Sequence, residues 1–316
     1  MRIFIVLGSG NSGAGAIHDY LLSRKDFFSP FNGKEFRLIN DPDGLDELYH
    51  SFFTHCSVNG ASNSLNNFNN FAKNYYNSNY NKKNKILNKE FLKLSKNFID
   101  TIIDVHYNGG PQFFLDKMKI SKKLFFYFKR FFLRKPSKNI NLLKMVMPKN
   151  EKKFLVATEE YLNKIFELSE KFDNSKNVVI EQGGNFMSPT SSTKYYGSNR
   201  EVIFVKRDPK AIYWSMKRRN SLGYPGHNLK IFVKWYKLIW NKINFKELED
   251  ITQIKYENFF SNFISEKKKL CLKLNLDPNV EDNFNLEYTK KNLFKFKENL
   301  TQEEIKYIDE ELKEYI

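Results

Sequence analysis

Two short stretches of the sequence carry residues whose types and spacing suit the binding of phosphate-like anions. The first is Gly8-Ser9-Gly10-Asn11-Ser12-Gly13-Ala14-Gly15-Ala16, which directly follows an apolar run. A loop that cradles phosphate needs backbone N–H groups turned inward and no side chains in the way. Glycine permits both, and the start of a following helix adds its dipole. Ser12 supplies a hydroxyl donor in the same loop. The second stretch is Lys206-Arg207-Asp208-Pro209, with Ser215 eight residues after the arginine. A guanidinium at a strand end can fork onto phosphate oxygens, and a serine a little over two helical turns later can donate to another oxygen. No Gly-Lys-Ser/Thr closes the first loop, so it is not of the Walker type. Gly8, Gly10 and Gly13 do fit the G-x-G-x-x-G spacing of dinucleotide sites, which keeps a Rossmann-type nucleotide enzyme open.

These residues need elements to hold them. Residues 2–7 are a run of β-formers, and helical spacing follows over 16–23, with Ile17, Leu21 and Leu22 on one side. The pattern predicts further strands at 35–39, 177–181, 201–206 and 251–256, the first closed by Asn40-Asp41-Pro42-Asp43-Gly44. Pro209 suits the first turn of a helix reaching Arg219, and further helices are expected over 231–243 and 260–274. Thr301 and Glu304 form a capping-box pair that opens a C-terminal helix. Residues 89–96 read as helical, 98–105 as helix or strand, and 58–84, rich in Asn, Ser and Tyr, as a long loop or insertion. Alternating strands and helices indicate an α/β, three-layer fold, with a central, mostly parallel sheet between helices.

Four stretches, taken in order, resemble motifs of the sulfotransferases that use 3′-phosphoadenosine-5′-phosphosulfate. The segment from Val202 to Ser215 is similar to their 3′-phosphate motif, a strand ending in Arg-Asp/Asn-Pro with Ser eight residues after the Arg. The loop from Gly8 to Gly15 is similar to their 5′-phosphosulfate loop. Lys255-Tyr256-Glu257-Asn258 resembles an Arg-Tyr-Glu-Asp segment after a late strand. Phe296-Lys297-Glu298-Asn299-Leu300-Thr301-Gln302-Glu303-Glu304 resembles their C-terminal Trp-Lys-x-x-Leu-Thr-x-Glu-Glu. The likeness covers residues 1–25 and 177–316. It implies a P-loop-like fold, a single domain over 1–316 with an acceptor-side insertion near 58–150, and a donor nucleotide as co-substrate without a metal. The nucleotide would be bound by Gly8, Gly10, Asn11, Ser12, Gly13, Ala14, Gly15, Ala16, Arg207 and Ser215.

The sequence departs from the family at three loop positions. Asn11 stands where these enzymes usually carry Lys or Arg, and Ala14 and Gly15 replace a Thr pair. The resemblance also implies a base ahead of the 3′-phosphate strand. Glu181, at the end of Asn177-Val178-Val179-Ile180-Glu181, is the first candidate, His106 the second and His55 the third.

The totals narrow the other possibilities. Cys56 and Cys271 are far apart with no metal-type spacing, which excludes a disulfide framework and indicates stray core thiols in a reducing compartment. The apolar run near Met1 ends after five residues and nothing reaches span length, so a soluble, cytoplasmic protein is expected. A net charge of +16 favours anionic ligands but assigns none, because Lys, Asn, Ile, Phe and Tyr are all abundant. A P-loop kinase would need a loop Lys and a magnesium-holding Asp, and neither stands out. A nucleic-acid-binding protein would show clustered basic residues in a known module, which the sequence lacks. Residues 122–135, Lys-Lys-Leu-Phe-Phe-Tyr-Phe-Lys-Arg-Phe-Phe-Leu-Arg-Lys, alternate between an ordinary amphipathic helix and a peripheral membrane contact. The favoured acceptor is a carbohydrate or a lipid-linked molecule.

Overall fold

The computed structural model describes residues 1–110, 112–133, 143–219 and 223–315. Strand β1 (Ile3–Gly8) leads through the glycine loop into α1 (Ala14–Ser23) and the two-residue strand β2 (Phe27–Phe28). A largely helical section follows: α2 (Leu45–Tyr49), α3 (Val58–Asn77), α4 (Asn79–Asn84) and α5 (Glu90–Ile102). Next come β3 (Ile103–Gly109), α6 (Gln112–Asp116), α7 (Ile120–Leu133), β4 (Leu143–Pro148) and α8 (Glu151–Glu167). The chain then returns through β5 (Asn177–Glu181), α9 (Pro189–Thr193), β6 (Arg200–Lys206), α10 (Pro209–Arg219), α11 (Leu229–Trp240), α12 (Phe245–Glu249) and β7 (Thr252–Lys255). It finishes with α13 (Tyr256–Ser261), α14 (Phe263–Lys273), α15 (Leu286–Lys290), α16 (Phe296–Asn299) and α17 (Gln302–Glu311).

The α/β class is as the alternation predicted. Five strands form one parallel sheet in the order β2-β5-β1-β6-β7, flanked by helices. β1 is central and wholly buried, so its two faces feed separate cores. Ile3, Ile5 and Leu7 pack with Leu65, Phe98, Phe154 and Phe166, while Phe4 and Val6 pack with Ile17, Leu21, Phe259 and Phe260. Every residue of such a strand is apolar because both faces are covered. The ends of β1, β5 and β6 therefore point in one direction and deliver Gly8, Glu181 and Arg207 to the same edge.

Several local expectations need correction. Residues 35–39 form no strand, and the sheet edge is β2, paired to β5 through Phe27 and Phe28. Phe36, Leu38 and Ile39 are apolar because they plug the core, and Phe36 N donates to the Glu181 carbonyl at 3.2 Å. Residues 58–84 are not a loop but α3 and α4. Ser57 and Ser78 cap the two helices, and Ala61, Leu65, Phe68, Ala72 and Tyr75 make a buried stripe at spacings of four and three. The intervening asparagines, on the solvent side, hid that stripe. Residues 98–105 are helix and then strand, with β3 and β4 pairing antiparallel as a separate ribbon. The expected 260–274 helix begins earlier and breaks at Asn262 into α13 and α14.

Cys271 is buried, but Cys56 is exposed, so only one of the two thiols lies in the core. Cys271 accepts from buried Arg24 at 3.2 Å, and Arg24 is clamped by Asp26 at 2.9 and 2.8 Å. Within the stretch 122–135, Arg134 and Lys135 lie outside the described residues. Among those described, no helix is long and apolar enough to cross a membrane.

Candidate active site

At the C-terminal edge of the parallel sheet lies a cavity of about 820 Å³. It is lined by the whole loop 8–16 and by Glu181, Arg207 and Ser215, which are drawn together from three strand–helix connections.

The loop is held by its surroundings. Gly13 has φ 87° and sits against the ring of Tyr256, where a β-carbon would come within 2.3 Å of ring carbon, so both conformation and space require glycine. Gly13 is also the N-cap of α1 and brings no side chain to cap it. The N–H groups of Ala14 and Gly15 are thus left for an anion, with the helix dipole behind them, while Ala16 N donates to the Gly13 carbonyl at 3.0 Å. Ser12 is buried, and its Oγ has no hydrogen-bond partner among the described residues. Gln182, itself at φ 53°, donates from Nε2 to the Gly8 carbonyl at 3.1 Å and ties the end of β5 to the start of the loop.

Arg207 leaves the end of β6 with only 8% of its side chain exposed. Its Nη1 donates to the Asn11 carbonyl at 3.0 Å, its guanidinium lies 4.6 Å from the Tyr256 ring centroid, and Glu257 Oε1 stands 3.8 Å from Nε. Nε itself has no hydrogen-bond partner among the described residues. Burial lowers its pKa from the ordinary arginine value, with Tyr256 and Glu257 acting the other way. An arginine starts so high that the charge remains. A buried cation with an open N–H is set up to receive an oxyanion.

Ser215, on α10, donates to Asn11 Oδ1 at 3.1 Å. Asn11 has φ 63°, a left-handed conformation that asparagine tolerates better than most residues. Its carbonyl takes Arg207 and its side chain takes Ser215, so this one residue joins the loop to the second half of the site.

Glu181, at the end of β5, is mostly buried beside the first turn of α1. Burial pushes its carboxyl up to about 7. His18 acts in the opposite direction, whereas Glu35 and Asp19 add to the rise. The other candidate bases stand elsewhere. His106 is an exposed residue of β3, paired across to Val146, and His55 is exposed beyond α2; neither lines the cavity.

The remaining motifs position this machinery. Tyr256 supports both Gly13 and Arg207, and Glu257 accepts from Asp208 N at 3.2 Å, fixing the turn after Arg207. In the C-terminal motif, Thr301 and Glu304 do form the capping box. Glu304 also accepts from Lys217 at 2.7 Å, and Lys210 pairs with Asp309, so α17 braces the helix that carries Ser215.

Other lining residues lie outside the sequence motifs. Arg218 and Arg219 follow Ser215 by three and four positions, a helical spacing that points them the same way. Arg218 lies over Trp214 at 4.7 Å. Tyr224 lies over Gly10, and the segment 283–292 contributes Asn283, Tyr288, Thr289 and Asn292. That segment is brought in by tertiary contacts such as Asn283 N to the Ser23 carbonyl at 3.2 Å, for which the sequence holds no local signal. Among the described residues, no group of three or more His, Cys, Asp or Glu side chains is placed to hold a metal ion.

No protein-family model matches the chain, and no curated protein matches it. Among solved structures it is similar to the sulfotransferase domain from the curacin biosynthetic pathway, with 16% identity over 89% of this chain and 78% of that one, at a TM-score of 0.38. It is similar also to the sulfotransferase domain of the Synechococcus PCC 7002 olefin synthase, with 14% identity over 90% and 78% of the two chains, at a TM-score of 0.37.

Proposed function

We propose that this protein is a sulfotransferase that moves the sulfuryl group of 3′-phosphoadenosine-5′-phosphosulfate to a hydroxyl or amine of an acceptor. The observation that carries this reading is the meeting of the two anion-binding half-sites at Asn11. The uncapped start of α1 and the unpartnered Ser12 Oγ lie on one side, and Arg207 with its open Nε and Ser215 lie on the other. A nucleotide with anionic groups at both ends matches two half-sites better than a single phosphate does. The loop would take the 5′-phosphosulfate, and Arg207 and Ser215 the 3′-phosphate.

In the transfer, the bond between sulfur and the phosphate oxygen breaks as the acceptor oxygen forms its bond to sulfur. The acceptor proton passes to Glu181, and 3′-phosphoadenosine-5′-phosphate leaves. Such a reaction depends on in-line positioning and on charge stabilisation more than on covalent help from the protein. A carboxyl titrating at about 7 is half ionised near neutrality, which suits a general base. Negative charge grows on the leaving phosphate, and the family usually meets it with a loop cation. Asn11 carries no charge, so Arg218 and Arg219, which line the same cavity, are assigned that task. The acceptor is taken to be a carbohydrate or lipid-linked molecule.

Thermal melting with competing nucleotides separates this reading from a kinase or hydrolase. 3′-Phosphoadenosine-5′-phosphate is expected to raise Tm in the absence of metal, and more than ATP with magnesium does. Greater stabilisation by ATP with magnesium would move the site to phosphoryl chemistry.

A further inference from the structure

Helix α7 (Ile120–Leu133) shows solvent what a helix ordinarily buries. Ile120, Leu124, Phe128 and Phe131 fall at i, i+4, i+8 and i+11, one face of a helix, and are 78, 65, 61 and 78% exposed. Phe125 and Tyr127 are exposed at the margins of that face. None of the described α7 side chains belongs to either hydrophobic core. The ribbon that brackets the helix in the chain adds exposed Val105, Tyr107 and Met147. An exposed apolar helix face of this kind marks an interaction site.

The charge around it indicates the partner. Residues 117–150 hold eleven Lys and Arg and no Asp or Glu. Lys119 and Lys122 are exposed on the side of the helix away from the apolar face, and Lys123 pairs with Asp116 at 3.4 Å. A protein partner would need an acidic rim around an apolar groove, and a nucleic acid would need aromatic faces for stacking. Ile120 and Leu124, half of the stripe, offer no stacking surface. An anionic lipid surface meets both demands at once, with acyl chains for the stripe and headgroup phosphates for the lysines, whose stems reach outward while the rings sink.

We propose that α7 lies in the plane of an anionic membrane surface, with Ile120, Leu124, Phe128 and Phe131 inserted and the flanking lysines on the headgroups. This surface is independent of the reaction proposed for the cavity.

The test is co-sedimentation of the full chain with vesicles of phosphatidylcholine alone and of phosphatidylcholine mixed with phosphatidylglycerol. Binding is expected only to the mixed vesicles, weakening as salt is added, and falling by about tenfold or more in Leu124→Ser/Phe128→Ser/Phe131→Ser. Should that variant not fold, Lys119→Glu/Lys122→Glu, confined to exposed side chains, is expected to lose the same binding. Three results would overturn the proposal: no binding to either vesicle, binding that both variants keep, or vesicle-free binding of an RNA oligonucleotide that the apolar variant abolishes.

Discussion

Glu181 Oε1 lies 2.8 Å from the point a β-carbon on Gly15 would occupy. The carboxylate therefore rests against bare backbone at the start of α1, and any side chain at position 15 would displace it. The sulfotransferase loops that this loop resembles usually carry a Thr at this position. Gly15→Thr is expected to push Glu181 out of place while leaving Arg207 and Ser215 untouched. Turnover should fall by about 10²-fold, as for a reacting group misplaced by roughly an ångström, with a much smaller change in nucleotide affinity. Equal losses in both, or none in turnover, would detach Glu181 from the chemistry.

The titration of Glu181 makes a second claim checkable. The base must be ionised, so kcat/KM is expected to rise with pH through about 7. Glu181→Gln should remove both that limb and most of the activity. The same group has a stability signature of opposite sense. Its folded-state value, raised from 4.5 to about 7, means that the folded protein holds this proton more tightly than the unfolded chain does. Its contribution is thus present at low pH and is lost as pH rises across that window. Glu181→Gln should accordingly gain Tm relative to the parent at about pH 8 and show less gain at about pH 5. A kcat/KM profile unchanged by the substitution would contradict the role.

Asn11 has two duties that substitutions can separate. Its left-handed backbone presents a carbonyl to Arg207, and its side chain accepts from Ser215. Glycine keeps the backbone conformation and loses only the side-chain bond, whereas alanine loses the bond and adds strain of about 1 kcal/mol. Asn11→Ala should therefore be less stable than Asn11→Gly by about that amount in chemical denaturation. Equal stabilities would mean that the loop relaxes freely and does not hold Arg207 through its backbone.

The edge of the sheet that carries the candidate site is more legible in the sequence than the periphery. β1, β5 and β6 are short uninterrupted apolar runs ending in Gly8, Glu181 and Arg207, so strand and site were marked by the same residues. The capping pair Thr301 and Glu304 was readable for the same reason, since its chemistry is local. Residues 58–84 read as a loop because Asn and Ser on the solvent face dilute the stripe from Ala61 to Tyr75. Residues 35–39 have a strand's composition, yet they serve as a plug beneath Glu181. His106 lies away from the cavity, on an exposed ribbon whose separation from the main sheet no local pattern reveals. Asn283, Tyr288 and Asn292 reach the cavity only through folding of the C-terminal segment.

The most direct test of the central claim is calorimetric titration of 3′-phosphoadenosine-5′-phosphate into the intact protein and into Arg207→Ala. The account predicts micromolar binding by the parent protein, abolished or weakened by about 10²-fold or more when the buried cation is removed. Absence of binding to the parent, or affinity that survives the loss of Arg207, would contradict it.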